Sequence, residues 1–274
     1  MDASPELPRQ GRVPVFNLPG VVTASIAVLA AVHVVRTVLP DDLDLSLLLH
    51  LAFIPARWAA AFDPSSAAEI VRAAGEGAGT PDVLAARQDF ARYLVADPAA
   101  MPWTGASYAL LHGSWMHLIF NAVWLAAFGT PVARRYGALR YGLLALAGVV
   151  AGALTHLLLD PYSLMPLVGA SAGISALMAA AARFVFQPPP PFVAGAPWQL
   201  PPRPKLQSIP ELLRNRPAML FLGIWFVTNL LFGVLALPLG GSEGPIAWDA
   251  HLGGFVAGFF LLPLMERRLG RSGA

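Results

Sequence analysis

The chain has 274 residues, of which 56% are hydrophobic and 12% charged, and it contains no cysteine. Soluble domains carry about 25% charged residues, so the composition excludes an ordinary soluble fold and implies one polytopic membrane domain. The formal net charge of +2 forms no basic patch, which argues against nucleic-acid binding, and the lack of cysteine removes any disulfide framework, thiolate nucleophile or thiolate metal site.

A membrane-spanning helix needs about 20 mostly apolar residues. Six segments meet or approach that length: 18–38, 109–133, 139–159, 167–183, 217–238 and 246–265. Strands outside a closed barrel leave backbone groups unpaired in lipid, so all six are predicted helices and the fold class is all-α, a six-span bundle in the lipid bilayer. The first run continues into Arg36-Thr37-Val38-Leu39-Pro40 with no small-residue cleavage pattern, so it reads as a retained span rather than a signal peptide.

Charge orients the spans. Arg9 and Arg12 precede the first, and the loop 40–105 holds four basic residues (Arg57, Arg72, Arg87, Arg92) against nine acidic ones from Asp41 to Asp97. Arg134, Arg135 and Arg140 lie between the second and third spans, and only Asp160 lies between the third and fourth. The next connection has Arg183, Arg203, Lys205, Arg214 and Arg216 against Glu211. The following turn has Glu243 alone, and the tail has Arg267, Arg268 and Arg271. Basic and non-basic sides alternate, so the positive-inside rule puts both termini in the cytoplasm. The expected organisation is a cytoplasmic segment 1–17, a membrane domain 18–265 and a cytoplasmic tail 266–274. Within the domain, 40–105 is a long outer loop and 187–216 a proline-rich cytoplasmic linker with polyproline character. Leu45–Ile54 is short and ends at Pro55 and Arg57, so it reads as an interfacial or re-entrant part of the outer loop, with Trp58 near the headgroups.

Four polar residues fall inside these spans. Counted from the cytoplasmic charge ending each span, Asn121 lies 13 positions from Arg134, His117 lies 17 from it, Ser171 lies 12 from Arg183 and His251 lies 16 from Arg267. At 1.5 Å per residue these are about 20, 26, 18 and 24 Å from the inner face, all in the outer half of a core about 30 Å thick. His117 and Asn121 are four apart and share a helix face; His112 is nine from Asn121 and falls on the opposite face. The fourth span is truncated. Pro161 and Pro166 bar helix above it, and Leu167 to Ala182 gives only about 24 Å. Its N-terminus is therefore expected below the surface, with free N–H groups suited to a developing oxyanion and with water admitted to them. Gly254 and Gly258, with the Gly/Ala positions of the serine helix, allow close helix approach, close enough for Ser171 to meet His251 as a base. Each residue alone has a plainer reading. Membrane serines ordinarily bond a backbone carbonyl, and polar residues such as His117 and Asn121 cross-link helices for about 1 kcal/mol each. Depth and order in combination outweigh those readings. His33, His50 and His156 have no partner at a telling spacing and read as structural or interfacial.

At these residues the chain resembles the rhomboid intramembrane serine proteases over about 105–265. His112-Gly-Ser-Trp-Met-His117-Leu-Ile-Phe-Asn121 matches the family's HxxxxHxxxN pattern. Gly169-Ala170-Ser171 matches the start of GxSG, and Ala250-His251-Leu252-Gly253-Gly254 with Gly258 matches AHxxGxxxG. The resemblance implies a Ser171 nucleophile, a His251 general base and an oxyanion hole of His117, Asn121 and the Ser171 N–H. It implies structural roles for His112, Gly169, Gly254 and Gly258, and transmembrane protein substrates cut near the outer face, with no cofactor and no metal. The six-span form implies a bacterial plasma membrane. The chain departs from the pattern at Ala172, where the family has glycine, and at Ser175, where it often has an aromatic against the histidine. Ser175 is expected to bond the imidazole or a water. Asp249, about 200° round the helix from His251, is not expected to orient it. The competing expectation is an inactive relative that binds membrane-protein clients. A transporter would need paired midplane charges, which the sequence lacks.

Overall fold

In the computed structural model, residues 17–96, 99–187, 204–234 and 247–269 are described. The N-terminal segment 1–16, most of the proline-rich linker (188–203), the turn holding Glu243 (235–246) and the tail beyond Leu269 lie outside the described residues.

The described chain is helical in all six apolar segments. Helix α1 (Gly20–Val38) is followed by a group of shorter helices, α2 (Asp41–Leu51), α3 (Pro55–Phe62), α4 (Ala67–Ala74), α5 (Pro81–Ala96) and the single turn α6 (Thr104–Ser107). Then come α7 (Trp115–Trp124), α8 (Thr130–Leu159), α9 (Ser171–Ala182), the short α10 (Ile209–Arg214), α11 (Arg216–Val234) and α12 (Trp248–Leu269). Three stretches are long and apolar enough to cross a membrane: Gly20–Val38, Trp115–Leu159 and Trp248–Glu266. The middle one has 45 residues, about 67 Å if straight and twice the hydrocarbon thickness. It does not run straight. Gly137 has φ +79°, a conformation open to glycine without strain, and the chain folds back there, bringing Tyr141 against Gly129. This reversal separates the predicted second and third spans, with Arg134, Arg135 and Arg140 around it.

Two boundaries differ from the expected ones. The second membrane helix begins at Trp115 rather than 109, because Leu111 is extended and Ser114 caps the helix by accepting from the His117 N–H at 3.2 Å. His112 therefore precedes the helix instead of lying on its far face. The fourth helix begins at Ser171 rather than 167. Leu167 is held in extended pairing with Phe53 (2.8 and 3.3 Å), and the Gly169 N–H donates to the Tyr108 carbonyl at 3.0 Å. The twelve residues that remain span about 18 Å.

Helix α9 is the centre of the bundle. Every residue from Ala172 to Ala182 is buried, as a helix apolar all round requires. It packs between α8 and α12 by glycine contacts. A methyl on Gly152 would meet the Ala172 side chain at 2.6 Å, and methyls on Gly254 and Gly258 would strike the Ala172 and Ala176 carbonyls. Ala172 thus fits because Gly152 faces it. Adding a methyl inside a helix normally stabilises by up to about 1 kcal/mol through propensity, but overpacking costs about 1–3 kcal/mol. Gly258→Ala should therefore lower the thermal midpoint in detergent, whereas Gly142→Ala, with open space around it, should leave it unchanged or raise it. Equal midpoints for the two variants would contradict the packing described.

The loop expected over 40–105 is a folded helical layer. Ile54, Ile70, Ala91 and Leu94 are buried in it, and Arg57 donates to the Leu49 carbonyl at 2.5 Å. Trp58 donates to Thr104 Oγ1 at 2.9 Å. The layer grips the segment leading into α9 through Phe53–Leu167 and through the Ala56 N–H to the Ser163 carbonyl, 3.1 Å. At the opposite end of the bundle Arg134 donates to the Asn17 carbonyl and Arg135 pairs with Glu266 at 2.7 Å. The start of α1 and the end of α12 therefore lie at the same end as the arginine-rich reversal.

Candidate active site

Ser171 is the first residue of α9, reached through Gly169 at φ +115°. A side chain at 169 would be strained by that conformation and would meet His117 Nε2 at 2.7 Å. Glycine thus permits both the turn into the serine and the approach of the His117 ring. At the head of α9 the first N–H groups have no partner within the helix, and the positive end of the helix dipole opens there.

His251 comes from the first turn of α12, and its Nε2 lies 2.7 Å from Ser171 Oγ. The close α9–α12 contact at Gly254 and Gly258 makes that distance possible. Ser171, His251 and Asn121 line one cavity of about 180 Å³, walled by Trp124, Phe128, Met178 and Trp225 among others. Asn121 is buried, and its Nδ2 donates to the His117 carbonyl at 2.9 Å. An amide nitrogen carries two hydrogens, so this bond fixes the side chain and leaves a second donor. His117 lies against Gly169, and His112 lies behind it, fully buried, with the two ring centroids 5.0 Å apart. Arg36 binds the His112 carbonyl at 3.0 Å and Asp44 at 2.7 Å, tying this stretch to α1 and α2. Ser171, His251, Asn121 and His117 thus lie around the start of α9 with His112 behind them, while Gly254 and Gly258 pack along the helix at Ala172 and Ala176.

Three side chains behave differently from expectation or were overlooked. Ser175 does not reach the imidazole; its Oγ donates to the Ser171 carbonyl at 2.8 Å, the local bond a helical serine makes one turn back. Asp249 does not touch His251, as expected, but it has a partner in His156, read from sequence as lacking one at a telling spacing: Nδ1 to Oδ2 is 2.8 Å, both buried. That pair fastens α12 to α8. Asn229 of α11 was missed. Its Oδ1 lies 2.6 Å from His251 Nδ1. The same depth count finds it, 13 residues from Arg216 as Asn121 is 13 from Arg134, but no motif points to it. Among the described residues no group of three or more His, Asp or Glu side chains is placed to hold a metal ion.

A bundle of apolar helices around a short buried one defines a polytopic helical membrane protein, with a serine and a histidine in hydrogen-bond contact at the head of the short helix. Residues 99–268 match the Rhomboid domain, and the chain belongs to the rhomboid family. It is similar to Rhomboid-related protein 2 of Mus musculus, 42% identical over 76 residues, covering 28% of this chain and 24% of that protein. It is also similar to Rhomboid-related protein 3 of Homo sapiens, 38% identical over 81 residues, 30% of this chain and 20% of that one. RHOMBOID-like protein 5 of Arabidopsis thaliana is 27% identical over 159 residues, 58% of this chain and 42% of that one. The matched regions span less than half the length of these relatives, all of which are eukaryotic.

Proposed function

We propose that the protein is an intramembrane serine endopeptidase that cleaves transmembrane segments of other membrane proteins near the outer face. The observation that carries this reading is the 2.7 Å contact between Ser171 Oγ and His251 Nε2 at the head of a short, buried helix. The Ser171 hydroxyl donates its proton to His251 Nε2 as Oγ attacks the scissile carbonyl. The resulting oxyanion accepts from the Ser171 N–H, the second Asn121 Nδ2 hydrogen and His117 Nε2. His251 then protonates the leaving amine, the C–N bond breaks, and a water activated by the same imidazole hydrolyses the acyl ester. Because α9 starts below the surface, that water enters from the outer end of the bundle. A substrate helix must unwind to present its carbonyl, which favours small or helix-breaking residues at the cut.

The charge alternation supports an orientation with the arginine-rich end, and with it both termini, in the cytoplasm. A bacterial plasma membrane remains the proposed location, read from the sequence alone; the matched relatives, being eukaryotic, lend it no support. Client binding without cleavage is the competing reading, and the intact, mutually bonded Ser171 and His251 weigh against it.

In liposomes the purified chain should cut a single-span substrate bearing helix-breaking residues near its outer end. Capture of that substrate without a cut would favour client binding. Asn121→Ala should lower turnover about 10²-fold with little change in KM, the loss seen on removing one oxyanion donor. Unchanged turnover would remove Asn121 from that role.

A further inference from the structure

Asn229 holds both ends of its amide in hydrogen bonds, and together they fix the protonation pattern of the site. Its Nδ2 lies 3.2 Å from the Trp248 backbone carbonyl and its Oδ1 lies 2.6 Å from His251 Nδ1. A carbonyl oxygen only accepts, so the NH2 edge of the amide must face Trp248. The amide oxygen then faces His251 and accepts, which requires the imidazole hydrogen to sit on Nδ1. In a neutral imidazole the lone pair is then on Nε2, 2.7 Å from Ser171 Oγ. This is the tautomer that takes a proton from the serine. A flipped amide would set oxygen against oxygen at Trp248 and would hold the hydrogen on Nε2, where it faces the serine and blocks proton transfer.

No other described residue bonds His251 Nδ1. Asp249 on the same helix is engaged by His156 and by the Ala250 N–H at 2.7 Å, and Ser175 by the Ser171 carbonyl. The His117 ring on α7 lies against Gly169. The amide is itself held in register: Gly233, one turn further along α11, lies flat against Trp248, where a methyl would come within 2.5 Å of the indole. The stacking of Trp225 on Phe255, ring centroids 5.3 Å apart, fixes the two helices one turn before.

We propose that Asn229 is the positioning residue of the Ser171–His251 pair, supplying through a neutral amide the tautomer and ring orientation that an acid supplies in triad hydrolases. The inference rests on the protease reading above for its kinetic consequence, and its tautomer claim stands apart from that reading. The backbone carbonyl of Trp248 is the reference point, so the side chain of residue 248 need not be an aromatic for the tautomer to be set.

The test compares Asn229→Leu and Asn229→Asp in the purified full chain, reading fluorophosphonate labelling, cleavage kinetics against pH, and the 15N signal of His251 assigned by difference from His251→Ala. Asn229→Leu should lower kcat and the labelling rate about 10²-fold with KM within about twofold, and the Nδ1–H signal should be lost. Asn229→Asp keeps an acceptor toward Nδ1 but sets a carboxylate oxygen against the Trp248 carbonyl, so it should recover only part of the loss, at least about tenfold above Asn229→Leu. Its carboxylate favours the imidazolium, so the acid limb of the kcat/KM profile should move to higher pH. Equal losses in both variants with an unmoved acid limb would mean a packing role only and would overturn the proposal, as would a parent chain with hydrogen on His251 Nε2. A parent that shows the Asn229-dependent Nδ1–H signal but neither labels nor cleaves would uphold the tautomer and sink the protease reading instead.

Discussion

Replacing Ser171 by alanine should abolish cleavage of a transmembrane substrate and leave the protein folded. The expected loss is about 10⁴–10⁶-fold in turnover, the range seen when a member of a cooperating nucleophile–base unit is removed. The structural cost is small. Among the described residues the hydroxyl makes one bond, to His251, and a net hydrogen bond is worth about 1 kcal/mol. The turn into α9 depends on Gly169 and the Tyr108 carbonyl rather than on the serine side chain. Expression and thermal midpoint in detergent should therefore stay near those of the parent. Cleavage at the parent rate by Ser171→Ala would refute the assignment. A large fall in midpoint together with lost activity would show that the hydroxyl holds the fold.

His251→Ala should lose nearly as much. A serine hydroxyl is a weak nucleophile at neutral pH and needs a base in contact. Among the described residues no substitute base is in place: Asp249 bonds His156, and His117 lies over Gly169. The double variant Ser171→Ala/His251→Ala should be no worse than either single one, since the two act as a unit. Additive losses would mean that the two side chains serve separate steps. Asp249→Ala provides the contrast. Breaking a buried pair leaves His156 without its partner and loosens α12 from α8, so stability should fall while the labelled serine stays the same.

The parts of the site legible in the sequence were those written as spacing along one helix or as depth in the membrane. Counting from the charges that end each span gives Ser171, His117, Asn121 and His251 a common expected depth, and that count needs no structure. Gly254 and Gly258 were legible as small residues one turn apart. What the spacing left out depends on contacts between helices distant in sequence. Asn229 had the right depth, yet a lone asparagine in an apolar span has many uses, and only its 2.6 Å approach to His251 selects one. The helix face of Ser175 points to the imidazole or a water, but the Ser171 carbonyl one turn back is nearer and takes the hydroxyl. The helix boundary at Ser171 shifted because the turn before it is pinned by the Phe53–Leu167 pairing. The boundary at Trp115 is set locally by the Ser114 cap, which apolar composition alone does not register.

The assignment of Ser171 as nucleophile turns on which atom reacts. A fluorophosphonate should form one covalent adduct with the purified parent chain, mapped by peptide mass spectrometry to Ser171 and absent from His251→Ala. An adduct at another serine, Ser175 among them, or no adduct from a chain that still cleaves its substrate, would contradict it.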